Sequence, residues 1–444
     1  MNITLPRYAA RIVELLEAGG FEAWFVGGCV RDSLLGNAPK DWDVATNALP
    51  EQVKQVFRGY TTVDTGLKHG TVTVVAEAHN IEVTTYRIDG DYGDCRHPEQ
   101  VVFTDNISRD LMRRDFTINA MAYHPQRGLL DEAGGRADLA SGLIRCVGEP
   151  EIRFQEDALR ILRALRFSSV LGFAIEPRTA LALKQNCILL QKIAAERIRE
   201  ELTKLLCGKE VQQVLAEYRE VLAEVLPEVR PMFDFDQKNP HHYLDVWSHT
   251  LEALAGSEPV LPVRLTLLFH DMGKPASFTT DEKGIGHFYG HPEISEFTAA
   301  EIMKRLRFDN ETILRVRQLV RWHDADVLPE GKSVKRWLNR LGEEGLRQLL
   351  LVKAADRSAT NHKFENLSVL SLVEKKIDTV IQEGQCFTRE KLQINGNDLL
   401  ALGVPEGKQI GEILDELLNL VIEERLPNQR TVLLNRAKQL MKEL

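Results

Sequence analysis

The sequence Gly27-Gly-Cys-Val-Arg-Asp32, with Asp41-Trp-Asp43 shortly after it, decides the fold of the N-terminal part of this chain. Residues 22–26 ahead of the glycines are mostly apolar and predict a short buried strand, and the residues after the glycines predict a helix. Two glycines between a strand and a helix allow backbone N–H groups to approach a phosphate at the positive end of the helix. The stretch therefore predicts a phosphate-binding turn, although most Gly-Gly pairs are ordinary turns.

The two aspartates beyond this turn predict a metal site. Residues 41–45 are typical of a strand, and Asp41 and Asp43 then point to the same face because they are two residues apart. Two carboxylates on one face repel each other unless a cation lies between them, and hard divalent cations take such oxygen ligands. Asp-x-Asp alone is more often a solvated strand face. Together with the glycine turn, it predicts Mg²⁺ beside a phosphate, as in phosphoryl or nucleotidyl transfer.

The composition of the 444 residues is that of a globular protein with several domains. The net charge of −9 argues against a general nucleic-acid coat protein but allows a local basic groove. The sequence has no secretory or membrane-spanning apolar stretch, and its six cysteines lack paired spacing. We therefore expect a cytoplasmic protein without a membrane partner.

The glycine and aspartate motifs together resemble the signature of the nucleotidyltransferases of the DNA polymerase beta superfamily. The resemblance is to the branch that contains the class II tRNA CCA-adding enzymes and the bacterial poly(A) polymerases. It implies an α+β nucleotidyltransferase head with a mixed sheet and helices, followed by an all-α neck, an HD-type helical body and a tail. The expected domains are a head at residues 1–148, a neck at 149–230, an HD-type metal-binding domain at 231–365 and a tRNA-binding helical tail at 366–444.

The resemblance assigns the catalytic and phosphate-binding residues of the head. Asp41 and Asp43 would be two of three catalytic carboxylates that hold Mg²⁺, and Glu82, on an alternating strand at residues 81–86, would be the third. The residues 111–120 are expected to form a helix whose members contact the sugar and triphosphate. The implied nucleotide-binding residues of the head are Gly28, Arg31, Arg114, Asp115 and Asn119.

The neck carries the sequence Glu-Asp-Ala-Leu-Arg at residues 156–160 within a pattern that predicts a continuous helix. Alternating charge is ordinarily a solvated helix face, but this sequence resembles the base-reading motif of the class II family. The resemblance implies that Asp157 and Arg160 hydrogen-bond the Watson–Crick edge of CTP or ATP, with Arg163 and Arg166 on phosphate or base. A carboxylate accepts from the exocyclic amine of cytosine or adenine, whereas uracil and guanine present a carbonyl there. Residues 196–202 match the next neck motif of the family, for which the resemblance implies a supporting role.

A second set of chemical groups follows in the helical middle of the chain. It consists of four histidines and two aspartates, and a set of imidazoles and carboxylates can bind one or two transition metals. A single histidine on an apolar helix, in contrast, is more often part of the core. The order of these residues along the chain resembles that of the HD phosphohydrolase family, whose metal activates water for phosphoester hydrolysis. The resemblance implies such a side activity. The candidate ligands are His249, His270, Asp271, His291, His323 and Asp356.

Three further segments bear on RNA. Residues 89–98 are polar and turn-rich and predict a mobile loop, which in the CCA-adding family is implicated in A addition. Residues 304–340 are locally basic, so they form either a solvated helix face or a contact with RNA phosphates. Residues 374–444 resemble the tail that holds the tRNA elbow.

The resemblance implies an enzyme that adds or repairs the 3′-terminal CCA of tRNA from CTP and ATP without a nucleic-acid template. The tRNA 3′-hydroxyl would attack the α-phosphate in a Mg²⁺-dependent reaction. Two close alternatives stay open, an A-adding tRNA nucleotidyltransferase and a poly(A) polymerase. An alternative of another class is an RNA-binding protein with a catalytically dead head and an active HD-type domain.

Overall fold

The structure is a computed structural model that describes residues 3–89, 101–240, 243–360 and 367–443. The loop predicted at residues 89–98 lies, apart from its first residue, outside these ranges. The chain divides into two compact units, Met1–Pro227 and Glu228–Leu444. The finer division into four domains stays a prediction.

The strands of the described residues lie mostly in the first unit. They are β1 (Ala23–Val26), β2 (Asp43–Thr46), β3 (Thr61–Gly66), β4 (Thr71–Ala76), β5 (His79–Thr85), β6 (Arg87–Asp89), β7 (Val101–Phe103), β8 (Ala122–His124), β9 (Gly128–Leu130), β10 (Leu143–Ile144), β11 (Ala174–Ile175), β12 (Thr279–Thr280) and β13 (Gly286–His287). Within the described ranges, the main sheet has the strand order β3-β4-β5-β2-β1-β8-β9. It mixes parallel and antiparallel pairs, as predicted for the head.

The helices of the first unit are α1 (Arg7–Ala18), α2 (Gly28–Leu34), α3 (Pro50–Val56), α4 (Ile107–Met112), α5 (Gly135–Ser141), α6 (Pro150–Glu156), α7 (Leu159–Leu171), α8 (Pro177–Asn186), α9 (Ala195–Leu206), α10 (Val211–Glu217) and α11 (Arg219–Ala223). Those of the second unit are α12 (Val246–Ala255), α13 (Leu261–Phe269), α14 (Lys274–Ser277), α15 (His291–Arg305), α16 (Asn310–Trp322), α17 (Gly331–Ser358), α18 (Leu367–Gln382), α19 (Gly396–Ala401), α20 (Lys408–Ile422) and α21 (Arg430–Glu443). The neck, body and tail are therefore helical, as predicted.

The centre of the main sheet places two predicted carboxylates side by side. Strands β2 and β5 are parallel, and Asp43 is the register partner of Glu82. Strand β1 is antiparallel to both β2 and β8, and all four of its residues are buried. A strand covered on both faces is apolar throughout, which explains the continuous apolar run ahead of the glycines.

Two predicted elements of the head differ in the structure. Strand β2 begins at Asp43, so Asp41 precedes the strand and does not lie on it. The predicted helix at residues 111–120 is wrong, because α4 ends at Met112 and the next helical turn, Thr117–Asn119, is a short 3-10 helix. The intervening backbone pairs with the chain before the neck, where Val147 N–H donates to Asp115 O at 3.1 Å. This pairing replaces the hydrogen bonds that a continuous helix would have made.

The predicted continuous helix of the neck is also wrong, because it breaks at Asp157. Helix α6 ends at Glu156, and Asp157 has extended backbone angles of φ −140° and ψ 101°. The Asp157 carboxylate accepts a hydrogen bond from the backbone N–H of Leu159, the first residue of α7, at 3.1 Å. Short acidic side chains favour such helix starts because they satisfy backbone donors that the helix leaves unpaired.

The second unit is built from packed helices with a small hairpin, β12–β13. One apolar core includes Leu319, Leu338, Leu349 and Ile377, from α16, α17 and α18. Another core, formed mainly by α20 and α21, includes Leu417 and Leu433. Among the described residues, no helix has the length and apolar character needed to cross a membrane.

Candidate functional site

A cleft of about 750 Å³ in the first unit is lined by all nine predicted nucleotide-binding residues and by one predicted catalytic carboxylate, Asp43. Those that line it are Gly28, Arg31, Asp43, Arg114, Asp115, Asn119, Asp157, Arg160, Arg163 and Arg166. Asp41 and Glu82 are exposed and do not line the cleft itself. The structure therefore brings the turn, one predicted catalytic carboxylate and the neck residues to one place.

The carboxylates of the head lie close enough to influence one another's ionisation, and they supply the oxygen donors that a divalent cation prefers. Burial, with the neighbouring charges of Glu82 and then Asp41, raises the pKa of Asp43 to about 6. The ligand atoms of these three carboxylates do not all lie within 4.8 Å of one another in the described part of the chain. A divalent cation would offset both causes of the raised pKa, the burial of the charge first and then the repulsion between the carboxylates.

The turn at the head of α2 requires glycine. Gly27 has φ 75°, a left-handed conformation, and a Cβ atom there would lie 3.0 Å from Arg114 Nη1. A side chain at this position would thus be strained and would also displace an arginine of the cleft. The predicted glycine turn is present, with Gly28 and Arg31 facing the cleft.

A chain of hydrogen bonds connects the turn to the neck. Arg31 Nη1 donates to Asn119 Oδ1 at 2.7 Å, and Asn119 Nδ2 donates to Asp115 Oδ1 at 3.1 Å. Arg163 Nη2 donates to Asp115 Oδ2 at 2.6 Å. Burial opposes ionisation of Asp115, but Arg163 and Asn119 outweigh it and lower the pKa of Asp115 to about 2. Asp115 therefore holds two other cleft residues in place.

An aromatic ring that the sequence analysis did not single out supports three arginines. The guanidinium of Arg166 lies 4.0 Å from the Phe167 ring centroid, and those of Arg31 and Arg163 lie 5.1 and 5.5 Å from it. Guanidinium groups are attracted to the face of an aromatic ring at such distances. In the sequence, the sign of this contact is that Phe167 directly follows Arg166 in the segment that forms α7.

The two predicted base-reading residues do not pair with each other. Arg160 Nη1 donates to Glu156 Oε2 at 2.7 Å, and its Nη2 donates to the backbone oxygen of Arg113 at 3.1 Å. Asp157 Oδ2 accepts from Nη2 of Arg197, on α9, at 2.8 Å. Arg113 and Arg197 also line the cleft, and Arg197 lies in residues 196–202, for which the resemblance implies only a supporting role.

We expect the Arg163→Ala variant to destabilise the first unit by about 3 kcal/mol, because the buried Asp115 carboxylate would lose its charged partner. Urea unfolding measures the loss. The double variant Arg163→Ala/Asp115→Asn should recover part of it, since the unpaired charge is then gone. Arg178→Ala, which breaks an exposed pair with Glu149, should cost less than about 1 kcal/mol. Equal losses for the two single variants would contradict this interpretation.

The second unit contains a cleft of about 600 Å³ lined by several of the predicted HD-type ligands. Two groups have ligand atoms within 4.8 Å of one another, His249 with His270 and Asp271, and Asp271 with His291 and His323. All five residues are buried. Asp356 is a neighbour of the first group, since His249 Nε2 lies 2.9 Å from Asp356 Oδ1. The structure thus brings the six predicted residues together, with Asp271 common to both groups.

The positive charges around Asp271 keep its carboxylate ionised, which is the form that binds a metal. Burial would raise the pKa of Asp271, but His270 and Lys274 hold it well below its usual range. Burial likewise opposes the charge on His270, but Asp271 and Asp356 raise its pKa to about 10. Asp271 Oδ2 lies 2.7 Å from Lys274 Nζ, yet it accepts no hydrogen bond of good geometry from the described residues. An ionised carboxylate that lies within reach of two groups of buried imidazoles is a suitable metal ligand.

The basic stretch at residues 304–340 is largely paired with carboxylates of the same unit. The pairs are Arg305 with Glu228, Arg317 with Glu296, Arg321 with Glu293 and Arg336 with Glu423. These carboxylates offset the local positive charge. The pairing favours the solvated helix face over the contact with RNA phosphates.

Comparison with known proteins locates matching family models along the chain. Residues 23–145 match the Poly A polymerase head domain, and residues 276–437 match the model described as tRNA nucleotidyltransferase domain 2 putative. Residues 172–233 match the probable RNA and SrmB-binding site of polymerase A. The HD-type assignment of the second unit stays a prediction.

Several relatives match this chain over nearly its whole length. The CCA-adding enzyme of Lactiplantibacillus plantarum is 37% identical over 432 residues, which cover 97% of this chain and 95% of that enzyme. The CCA-adding enzyme of Enterococcus faecalis is 35% identical, and the match covers 98% of this chain and 97% of that enzyme. The crystal structure of the Bacillus stearothermophilus CCA-adding enzyme in complex with CTP superimposes with a TM-score of 0.74 at 29% identity, and the match covers 99% of both chains.

A mixed sheet with adjacent carboxylates beside an arginine-rich cleft, in a chain with these relatives, defines a nucleotidyltransferase. Enzymes of this class use a divalent metal. The identities over nearly the whole length show that the chain belongs to the CCA-adding enzyme family.

Proposed function

We propose that this enzyme adds or repairs the 3′-terminal CCA of tRNA from CTP and ATP without a nucleic-acid template. One observation carries the proposal: a single cleft contains Asp43, next to Glu82 in register, and the pair Asp157 and Arg160. The first pair belongs to the transfer of a nucleotide and the second to the choice of its base. The CCA-adding enzyme of Lactiplantibacillus plantarum matches 97% of the chain, which supports the same function.

The residues of the cleft divide the work of substrate binding. Gly28 and Arg31 hold phosphates, and Arg163 and Arg166 neutralise further triphosphate charge from the neck side. Arg guanidinium groups suit this role because they donate two parallel hydrogen bonds to phosphate oxygens. Arg114 faces the glycine turn and completes the phosphate-binding wall.

The carboxylates of Asp41, Asp43 and Glu82 would hold Mg²⁺. The bound ion would polarise the α-phosphate and lower the pKa of the attacking tRNA 3′-hydroxyl. The 3′-hydroxyl loses its proton to water as its oxygen forms the new bond to the α-phosphorus, and the bond to pyrophosphate breaks. Asp157 accepts from the base amine, and Arg160 donates to ring nitrogen and carbonyl acceptors. The neck thus takes the place of a template strand.

Incubation with tRNA that lacks its 3′ end, with each labelled NTP in turn and with and without Mg²⁺, tests the proposal. We expect two C residues followed by one A. A long A tract would indicate the poly(A) polymerase, and A addition only to tRNA ending in CC would indicate the A-adding enzyme. Absence of incorporation under all conditions would indicate the catalytically dead head.

The Asp157→Ala variant should relax nucleotide choice. The variant removes the acceptor for the exocyclic amine, so we expect the ratio of kcat/KM for CTP to that for UTP to fall about a hundredfold. Single-nucleotide incorporation with saturating tRNA measures the ratio. Unchanged discrimination in a folded variant would contradict the base-reading role of Asp157.

A second activity, phosphoester hydrolysis, is favoured by the two ligand groups that share Asp271. Two transition-metal ions bound side by side activate water and stabilise the leaving oxygen of a phosphoester. The candidate substrates are a terminal phosphate or a 2′,3′-cyclic phosphate on damaged tRNA ends. Release of phosphate from such ends after loading with Mn²⁺, Co²⁺ or Ni²⁺, abolished by chelation, would support the activity, and no release with any of these metals would contradict it.

A further inference from the structure

The position of Asp157 depends on a residue that lies far from it in sequence. Its carboxylate receives two hydrogen bonds from Arg197, which donates from Nη1 to Oδ1 at 3.3 Å and from Nη2 to Oδ2 at 2.8 Å. The backbone N–H of Leu159 donates to Oδ1 at 3.1 Å. Asp157 lies at the break between α6 and α7, so helical hydrogen bonds do not fix its position there. The contacts of its carboxylate fix it instead.

The neighbouring base-reading residue is held by a separate set of contacts. Arg160 donates to Glu156 and to two backbone oxygens, those of Arg153 and Arg113. Loss of Arg197 would therefore remove two of the three hydrogen bonds described for the Asp157 carboxylate, while Arg160 keeps its own partners. The two halves of the base-reading pair can be disturbed independently.

We propose that Arg197 is the positioning residue that gives Asp157 its selectivity for the base amine, an inference that rests on the base-reading role proposed above. A carboxylate offers about four acceptor directions. Leu159 and Arg197 use three of them, so one direction is left for an incoming donor. The two-pronged contact also fixes the plane of the carboxylate, because the guanidinium is flat and its donors have a set spacing.

The fixed plane is what separates an amine from a carbonyl. A carboxylate with one free acceptor direction accepts a hydrogen bond from the amine of cytosine or adenine. It repels the carbonyl oxygen that uracil or guanine places at the same position. Without Arg197, the carboxylate rotates about its side-chain bonds and can move away from that carbonyl. Arg197 therefore acts on specificity through Asp157.

The experiment compares Arg197→Ala, Arg197→Lys and a matched control in single-nucleotide incorporation. The control is Arg178→Ala, which removes an arginine–carboxylate pair of 2.7 Å from the outside of the neck. We expect Arg197→Ala to lower the CTP to UTP ratio of kcat/KM about tenfold, through a higher KM for CTP together with a lower KM for UTP. Arg197→Lys, which keeps the charge but cannot donate two parallel hydrogen bonds, should restore only part of the ratio. The control should keep the wild-type ratio.

The double variant Asp157→Ala/Arg197→Ala shows whether the two residues act together. If Arg197 works through Asp157, it adds no further loss of the ratio once Asp157 is gone. A full additional tenfold loss, or an unchanged ratio in Arg197→Ala alone, would overturn the inference while the base-reading role of Asp157 stands. A ratio that does not change in Asp157→Ala would overturn the base-reading proposal itself, and a purely structural role of Arg197 would slow CTP and UTP incorporation equally.

Discussion

The Asp43→Asn variant is expected to transfer nucleotides at least about a thousandfold more slowly than the wild-type enzyme while it still binds tRNA. Asp43 is the half-buried member of the carboxylate group and lies in register with Glu82. Asparagine has nearly the same shape but lacks the charge that holds a divalent cation. The effect should therefore fall on catalysis, with little change in the folded structure.

Two measurements separate this effect from a folding defect. Single-turnover incorporation of labelled CTP measures the rate, and a filter-binding assay with the same tRNA measures binding. Asp64→Asn provides the control, since Asp64 pairs with Lys54 on the surface of the same unit and lies outside the cleft. Loss of tRNA binding together with normal turnover of the bound fraction would refute the catalytic role of Asp43.

The Asp271→Asn variant is expected to lose the metals of both ligand groups in the second unit, with an affinity lowered by more than about a hundredfold. Asp271 belongs to both groups, whereas each histidine belongs to one. A single substitution at the shared carboxylate should therefore affect two ions. Phosphoester hydrolysis by the metal-loaded enzyme should fall with it.

Metal content after gel filtration, together with titration calorimetry using Mn²⁺ or Ni²⁺, measures the loss. His323→Ala should weaken only the group that it shares with His291 and leave the other ion bound. Asp415→Asn, which alters an exposed pair with Arg389, should keep both ions. Equal metal content in Asp271→Asn and the wild-type protein would refute the shared site, and nucleotide transfer by the first unit should be unaffected in all three variants.

Local sequence was sufficient for the parts of the head that depend on neighbouring residues. The glycines predicted the turn before α2, and the apolar run ahead of them predicted β1, because backbone freedom and burial on both faces are local properties. The α+β head and helical remainder predicted from the resemblance are confirmed by the matching full-length structure. The continuous helices predicted at residues 111–120 and through Asp157 were wrong, since long-range backbone pairing and a side-chain contact replaced helical hydrogen bonds there.

What the sequence by itself determined is which chemical groups the protein carries: the carboxylates of the head, the arginines of the neck and the histidines with aspartates of the second unit. Only the tertiary structure decided which of these groups are partners. The packing of α7 against α9 brings Arg197 to Asp157, and the parallel pairing of β2 with β5 brings Glu82 to Asp43. Such contacts join residues about forty positions apart, and their geometry depends on how whole elements pack, which periodicity and spacing do not encode.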